Sequence, residues 1–287
     1  DGRRDSGNAP TLRDERPSQF AERLAESLSS RIPADDRKRH SVFFTPVAVA
    51  EFMASLISVP LAGHVAIVDP GAGLGILSCA ASERIASRSP SVSSISIHAY
   101  ETEDSLKPGL EEVMAYATKY FARRGVSLAP EVRTTDFVLT HSEMLAAAGQ
   151  MLPLNSEKRG YDLAISNPPY FKLSASDERA RAAKAVVHGQ PNVYSLFMAA
   201  AASMLRERGQ LIFITPRSFA SGTYFRRFRE WFFDLMVPEQ IHLFVSRRQA
   251  FRRDDVLQEN VIMATRRSTG WRTESCEREL SISSSHG

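Results

Sequence analysis

The segment VAIVDPGAGLG, residues 65–75, is the most informative about the fold, because a strand pattern in it runs directly into a turn with three glycines. Residues 65–69 form a short apolar run rich in β-branched side chains, and residues 76–86 have the periodicity of a helix. Glycines between a strand and a helix let a ligand approach the backbone at the carboxyl edge of a sheet. The alternative is a tight turn needed only for packing. We expect a binding site lined by Asp69, Gly71, Gly73 and Gly75, with Asp69 accepting from a ligand ammonium.

Strand and helix patterns alternate along the rest of the chain. Strands are predicted at residues 65–69, 95–100, 131–136, 161–166, 211–215, 240–245 and 260–265. Helices are predicted at residues 20–32, 47–57, 74–87, 106–124, 141–151, 193–206 and 224–233. This alternation favours an α/β fold with a mostly parallel, seven-stranded sheet and helices on both faces. No helix pattern separates the last two strands, so one of them is expected to run antiparallel at the edge. Thr45 is the predicted N-cap of the second helix, with Pro46 at its first position.

Composition narrows the class of protein. The chain has 287 residues, of which 43% are hydrophobic and 24% charged, enough for one domain with a single core. Cys79 and Cys276 share no metal-ligand spacing with each other or with the histidines, which argues against a structural zinc or a disulfide framework. No apolar run reaches the roughly 18 residues of a membrane span, and the N-terminus lacks the layout of a secretory signal. We expect a soluble protein of a reducing compartment.

Acidic residues stand at the predicted ends of the second and third strands. Glu101 and Thr102 follow residues 95–100, and a carboxylate at the tip of the second strand is placed to accept from the two hydroxyls of a ribose. Asp136 ends the third predicted strand, where its side chain would contact the base of the same ligand. A helix-capping aspartate is the alternative for Asp136.

The segment YDLAISNPPY, residues 161–170, carries the second motif. Its predicted strand ends at Ser166, and the two prolines beyond it fix the backbone and remove two amide donors. Backbone carbonyls there and the side-chain carbonyl of Asn167 are therefore acceptors that can converge on one amino group. Tyr170 adds an aromatic face for a planar base. A plain loop is the alternative, but Asn-Pro-Pro-Tyr at a strand end favours a functional site.

Together these motifs resemble the S-adenosylmethionine-dependent DNA adenine methyltransferases of restriction-modification systems, in the group whose cofactor motifs precede the catalytic motif. The resemblance covers about residues 40–267. It implies a Rossmann-like class I methyltransferase fold, S-adenosylmethionine as cofactor, double-stranded DNA as partner, and no metal. It assigns cofactor binding to Phe44, Thr45, Pro46, Asp69, Gly71, Gly73, Gly75, Glu101, Thr102, Asp136 and Phe137. It assigns catalysis to Asn167, Pro168, Pro169 and Tyr170.

The resemblance also implies a mechanism, in which an adenine is flipped out of the duplex. Asn167 and the Pro168 carbonyl would accept both hydrogens of its exocyclic amine, so that the nitrogen lone pair points at the methyl group of the cofactor. Direct in-line transfer then requires positioning and electrostatics rather than a covalent nucleophile. Tyr170 and Phe251 are the predicted stacking faces for the base, and an ordinary core position is the alternative for Phe251.

Arginine is concentrated in the later part of the chain. The net charge is only +3, yet residues 206–272 contain 13 arginines, no lysine and 7 acidic residues. Guanidinium groups suit contacts with phosphates, and we expect such contacts from some of these arginines. The alternative for the others is a solvated helix face. The predicted phosphate contacts are Arg217, Arg247, Arg248, Arg252 and Arg253.

Other functions stay open. The same tetrad suits methylation of a protein glutamine or of an amine in ribosomal RNA, and a further alternative is a catalytically weak nucleic-acid-binding module that needs a partner specificity subunit. The Phe44–Pro46 segment and residues 251–260 favour DNA, and the expected location is the bacterial cytoplasm. The predicted layout is a flexible arm (1–18), a helical segment (19–39), a methyltransferase domain (40–270) and a flexible tail (271–287). Because this layout has no separate target-recognition domain, sequence choice is expected to come from a separate domain or subunit.

Overall fold

A computed structural model describes residues 15–29, 44–58, 61–148, 160–188, 191–244, 260–268 and 279–285. The helices of these residues are α1 (Pro17–Ser29), α2 (Val47–Ser55), α3 (Ile76–Arg88), α4 (Lys107–Ala122), α5 (Phe137–Thr140), α6 (Ser142–Ala148), α7 (Glu178–Ala182), α8 (Val193–Met204) and α9 (Arg226–Leu235). The strands are β1 (Gly63–Pro70), β2 (Val92–Tyr100), β3 (Ser127–Arg133), β4 (Tyr161–Ser166), β5 (Leu205–Pro216), β6 (Met236–Phe244), β7 (Asn260–Arg267) and β8 (Ser281–Ser285).

The strands form one sheet in the order β3-β2-β1-β4-β5-β7-β6-β8. β1 pairs in parallel with both β2 and β4, β4 pairs in parallel with β5, and β7 runs antiparallel to β5 and β6. The strand order reverses between β1 and β4, so the carboxyl ends of these two strands flank the crevice where open α/β sheets bind ligands. The predicted α/β fold with a mostly parallel sheet is confirmed.

The part of the sheet beyond β5 differs in detail from the prediction. The antiparallel strand is present as β7, but it lies between β5 and β6, and the outermost strand is an eighth, β8. β8 pairs in parallel with β6 and lies in the segment predicted to be a flexible tail. Its sequence, SISSS, has mostly exposed side chains, so only the backbone ladder and contacts such as His242 Nδ1 to Ser283 Oγ at 2.9 Å hold it. An apolar pattern therefore could not predict it.

Helices cover both faces of the sheet. Apolar side chains of α1 to α4 form one core against the strands, and those of α5, α6, α8 and α9 form the other. The central strand β4 is buried along its whole length, and all twelve residues of α8 are buried. A helix that is apolar all round packs inside a domain rather than at its surface. The carboxyl ends of β1 and β4 are thus held rigidly between two packed layers.

The helix before β1 begins differently from the prediction. Pro46, not Thr45, occupies the N-cap position of α2, and a proline side chain cannot accept a hydrogen bond. The backbone N–H of Val47 instead donates to Glu22 Oε1 of α1 at 2.8 Å. Because a distant carboxylate satisfies this helix start, the Thr45 hydroxyl is free of the capping role. Within the described part of the chain, no helix is both long and apolar enough to cross a membrane.

Candidate functional site

The turn between β1 and α3 is built on glycine. Gly71, Gly73 and Gly75 all have positive φ, at 72°, 57° and 77°, a region that other residues enter only at a cost. The N–H groups of Gly71 and Ala72 both donate to the Tyr100 carbonyl, at 2.9 and 2.8 Å. These bonds tie the turn to the end of β2. The predicted glycine turn is therefore a real backbone feature at the carboxyl edge of the sheet.

Asp69 lies beneath this turn with 0% of its surface exposed. Its Oδ2 accepts from the Ser78 hydroxyl of α3, and its Oδ1 has no hydrogen-bond partner among the described residues. Burial raises the pKa of the Asp69 carboxyl to about 7, and the nearby Glu101 carboxylate adds to this shift. A buried carboxylate oxygen without a partner is costly, and a donor or cation supplied by a ligand would relieve that cost.

Glu101 lies at the end of β2 and faces the same turn. Its Oε2 accepts from Gly73 N at 2.9 Å and its Oε1 accepts from Glu103 N at 2.8 Å. Burial raises the pKa of the Glu101 carboxyl above its ordinary value. Thr102 is exposed on the following loop. The carboxylate is thus fixed by two backbone donors, and each oxygen keeps a lone pair for a ligand hydroxyl.

The prediction that Asp136 ends the third strand is wrong. β3 ends at Arg133, and Asp136 is the N-cap of α5, where its Oδ1 accepts from Leu139 N at 2.9 Å. Its Oδ2 lies 3.6 Å from Arg179 Nη1, next to α7. The helix-capping alternative describes this residue, because an aspartate side chain satisfies the first free N–H groups of a helix.

Two phenylalanines line the region between α5 and the glycine turn. Phe137 is 2% exposed, and its ring centroid lies 5.4 Å from that of Phe197 in α8. A Cβ on Gly71 would lie 3.7 Å from Phe197 Cε1 and 3.7 Å from Pro169 Cδ, so both side chains flank the turn. Phe197 was not predicted as a site residue, because it belongs to a mostly apolar helix that is buried along its whole length, and no pattern marks one of its apolar residues.

The Asn-Pro-Pro-Tyr motif follows β4 and lies beside the glycine turn. The Ser166 hydroxyl donates to the Pro70 carbonyl at 2.5 Å and joins the ends of β4 and β1. Asn167 Nδ2 donates to Thr45 Oγ1 at 3.2 Å, and the Tyr170 hydroxyl donates to Asn167 Oδ1 at 2.6 Å. The tetrad and the segment before α2 therefore meet at the Asn167 amide.

The segment before α2 also covers the glycine turn. A Cβ on Gly73 would lie 3.7 Å from Phe44 Cδ1, which places the Phe44 ring against this turn. Thr45 is 6% exposed and Pro46 is partly buried. The structure therefore brings together four predicted segments, although they are far apart in sequence: residues 44–46, the glycine turn, Glu101 and the tetrad.

The predicted phosphate-contacting arginines are only partly described. Arg217 is exposed in a 3₁₀ turn directly after β5. Phe251 and the other four, Arg247, Arg248, Arg252 and Arg253, lie outside the described residues.

Some other arginines of this basic region have structural partners. Arg229 donates to the carbonyls of Phe219, Ser221 and Gly222 at 3.0, 3.1 and 2.6 Å. Arg267 is 1% exposed and donates to the Ala202 carbonyl of α8 at 2.6 Å. The guanidinium groups of these two arginines therefore stabilise the fold through hydrogen bonds to backbone carbonyls.

Comparison with solved structures defines the class of this fold. The chain superimposes on a class I S-adenosylmethionine-dependent methyltransferase from Listeria monocytogenes with a TM-score of 0.66 and 14% identity, covering 96% of this chain and 75% of that one. It superimposes on the type IIG restriction endonuclease BpuSI with a TM-score of 0.61 and 20% identity, covering 88% and 28%. The fold is that of the class I methyltransferases.

Sequence comparison defines the family within that class. Residues 110–251 match the sequence model of the Eco57I restriction-modification methylase family. The chain is 32% identical over 227 residues to the type II methyltransferase M.BsuBI of Bacillus subtilis, covering 79% of this chain and 44% of that protein. It is 33% identical over 240 residues to M.PstI of Providencia stuartii, covering 83% and 45%. We place the chain with the restriction-modification methylases, which confirms the resemblance. It spans less than half the length of these two relatives.

Proposed function

We propose that the chain is the catalytic part of a DNA methyltransferase, which transfers a methyl group from S-adenosylmethionine to the N6 amine of adenine in a restriction-modification system. The observation that carries the proposal is the position of Asn167 and Pro168, directly after β4 and beside the glycine turn of β1, with Ser166 joined to Pro70. Two relatives are named type II methyltransferases, which supports DNA as the substrate. DNA in a bacterium lies in the cytoplasm, where we place this activity.

The residues around the turn fit S-adenosylmethionine. The partnerless Asp69 Oδ1 suits a cationic end of the cofactor, and the Glu101 carboxylate suits the two ribose hydroxyls. Phe137 and Phe197 suit the adenine ring, which Asp136 and Thr102 would border. Phe44, Thr45 and Pro46 would close over the methionine end. When bound, the cofactor supplies an electrophilic methyl group on a sulfonium. The described residues contain no group of three or more metal-binding side chains, and the proposal requires none.

Asn167 and Pro168 would act on the attacking nitrogen. The lone pair of the adenine N6 amine is delocalised into the ring, which makes it a weak nucleophile. An amide oxygen and a backbone carbonyl that accept its two hydrogens favour a tetrahedral nitrogen, with its lone pair directed away from them. Transfer would exchange the sulfur–methyl bond for a nitrogen–methyl bond, and the nitrogen would release one proton to solvent. Preorganised acceptors stabilise the positive charge that develops on this nitrogen.

DNA binding is proposed around the same edge of the sheet. An adenine inside a duplex is out of reach, so the base must be extruded and stacked on an aromatic ring, for which Tyr170 is the described candidate and Phe251 the second. Arg217, at the end of β5, would contact phosphate with Arg247, Arg248, Arg252 and Arg253. Sequence choice would come from a recognition domain or subunit.

The test separates transfer from cofactor binding. In Asn167→Ala, we expect no measurable methyl transfer but nearly unchanged S-adenosylmethionine affinity by titration calorimetry, because Asn167 contacts the substrate amine rather than the cofactor. Asn192→Ala is the matched control, since Asn192 caps α8 by accepting from Tyr194 N and its loss costs about 1 kcal/mol of stability. The control should retain transfer. A fully active Asn167→Ala would refute the mechanism, and a folded wild-type chain that binds no cofactor would refute the function.

A further inference from the structure

The Tyr170 hydroxyl lies within hydrogen-bond distance of two acceptors. It is 2.6 Å from Asn167 Oδ1 and 2.9 Å from the Ile214 carbonyl of β5. A tyrosine hydroxyl has one proton, so it can make only one full hydrogen bond as a donor. The shorter distance indicates that Asn167 receives the greater share of this proton in the free protein. Base stacking uses the ring of Tyr170 and does not explain this position of its hydroxyl.

The Asn167 amide is held from both ends. Nδ2 donates to Thr45 Oγ1 at 3.2 Å, and Oδ1 accepts from Tyr170. Thr45 is 6% exposed, and it belongs to a segment that is more than one hundred residues away in sequence. An amide group fixed at both ends cannot rotate freely. The oxygen that the proposed reaction needs is therefore oriented before any substrate arrives.

We propose that Tyr170 is a positioning residue, whose hydroxyl holds Asn167 Oδ1 in the free protein and donates instead to the Ile214 carbonyl when a substrate amine donates to that oxygen. This inference rests on the proposed function. The shift leaves no buried hydroxyl without an acceptor, so the substrate gains its hydrogen bond without the penalty of an unsatisfied polar group. Burial raises the pKa of Tyr170 well above its ordinary value, which keeps the proton on the hydroxyl.

A neighbouring tyrosine provides a matched control. The Tyr194 ring packs edge-on against the Tyr170 ring, with centroids 6.2 Å apart. The Tyr194 hydroxyl lies 2.9 Å from Ser218 Oγ, which is its hydrogen-bond partner. Tyr194→Phe and Tyr170→Phe remove the same hydroxyl group from adjacent rings, and each keeps its ring. Only Tyr170→Phe should affect the Asn167 amide.

The first measurement needs no cofactor or substrate. In ¹⁵N-labelled full chain, the Asn167 side-chain amide signals are assigned by their loss in Asn167→Ala. In Tyr170→Phe, we expect these signals to shift and their hydrogen exchange to become faster, because Oδ1 has lost its donor. Tyr194→Phe should leave them at their wild-type positions. Asn167 amide signals that stay unchanged in Tyr170→Phe would overturn the proposal.

The second measurement uses the kinetics of methyl transfer. The loss of one hydrogen bond from the positioning of Asn167 should lower kcat by about three- to tenfold in Tyr170→Phe. KM for cofactor and DNA should stay within about twofold, because the stacking ring and the cofactor residues are retained. A wild-type kcat in Tyr170→Phe would overturn the inference. A wild-type chain that methylates no amine would instead refute the proposed function, and the amide signals would still decide whether Tyr170 positions Asn167.

Discussion

Glu101→Gln tests the cofactor site most sharply, because it changes one atom of a side chain whose partners are known. The carboxylate accepts from Gly73 N at 2.9 Å and from Glu103 N at 2.8 Å, with one oxygen for each donor. In glutamine, one of these oxygens becomes an NH₂ group, which cannot accept from a backbone N–H. The variant therefore loses one bond that holds the loop and one acceptor for a ribose hydroxyl.

The size of the effect follows from these contacts. A hydrogen bond to a charged group is worth about 1.5–3 kcal/mol. The loss of one such bond to the cofactor corresponds to a Kd for S-adenosylmethionine that is higher by roughly 10- to 150-fold. The substitution also destabilises the turn, because one of the two backbone N–H groups would face the new NH₂ group, which is another donor. The free energy of unfolding should therefore decrease as well, by about 1 kcal/mol.

The assay is titration calorimetry of S-adenosylmethionine into the folded variant, with circular dichroism as the check on folding. Glu131→Gln is the control, because Glu131 pairs with Arg133 on β3 at 2.8 Å and is more than half exposed. We expect its Kd to match the wild type within about twofold, because an exposed ion pair contributes little free energy. If Glu101→Gln binds the cofactor as tightly as the wild type, Glu101 does not bind the ribose hydroxyls.

Two further predictions concern the same turn. Gly75 and Gly125 both have φ near 76°, but only the Cβ at Gly75 would overlap Met114. In urea titrations, Gly75→Ala should therefore lower the free energy of unfolding by about 1–3 kcal/mol more than Gly125→Ala does. Equal losses would contradict the predicted overlap. The Asp69 carboxyl has a pKa of about 7 in the folded protein, against an ordinary value of 3.8. Between these two values the folded state binds more protons than the unfolded state, so the free energy of unfolding falls as pH rises from about 4 to about 7. The free energy of unfolding of Asp69→Asn should therefore exceed that of the wild type at pH 8, and by a smaller difference at pH 5. A lower free energy of unfolding for Asp69→Asn at pH 8 would contradict this prediction.

The sequence predicted the parts of the site that local chemistry determines. β4 was predicted with its observed bounds, Tyr161–Ser166, because its mostly apolar residues run up to Asn167 and the two prolines that end the strand. The glycine turn follows from the junction between β1 and α3, and Glu101 follows from the end of β2. In these cases the same residues that form the element also mark its ends.

The remaining features depend on partners that are distant in sequence. Thr45 was predicted to cap α2, but Glu22 satisfies that helix start from α1 and Thr45 accepts from Asn167. Asp136 was predicted at a strand end, but it caps α5 and lies near Arg179. For each of these polar side chains, the sequence alone is compatible with two different partners. Only the packing of the elements decides between them.

β8 shows a different reason for a missed element. The residues of the strand Ser281–Ser285 are mostly exposed serines, so the strand lacks the apolar alternation by which strands are recognised. It forms because β6 has an available edge whose backbone groups pair with it. Pairing of this kind depends on the partner strand and is not visible in the segment itself.

The identity of the methylated atom shows whether the protein is a DNA adenine methyltransferase. The full chain is incubated with methyl-labelled S-adenosylmethionine and duplex DNA, and in parallel with ribosomal RNA and a release factor, and the products are hydrolysed and separated by mass spectrometry. We expect labelled N6-methyladenine from the DNA, and none when Asn167→Ala replaces the wild type. Label only in RNA or in protein glutamine, or in a DNA base other than adenine, would contradict this expectation.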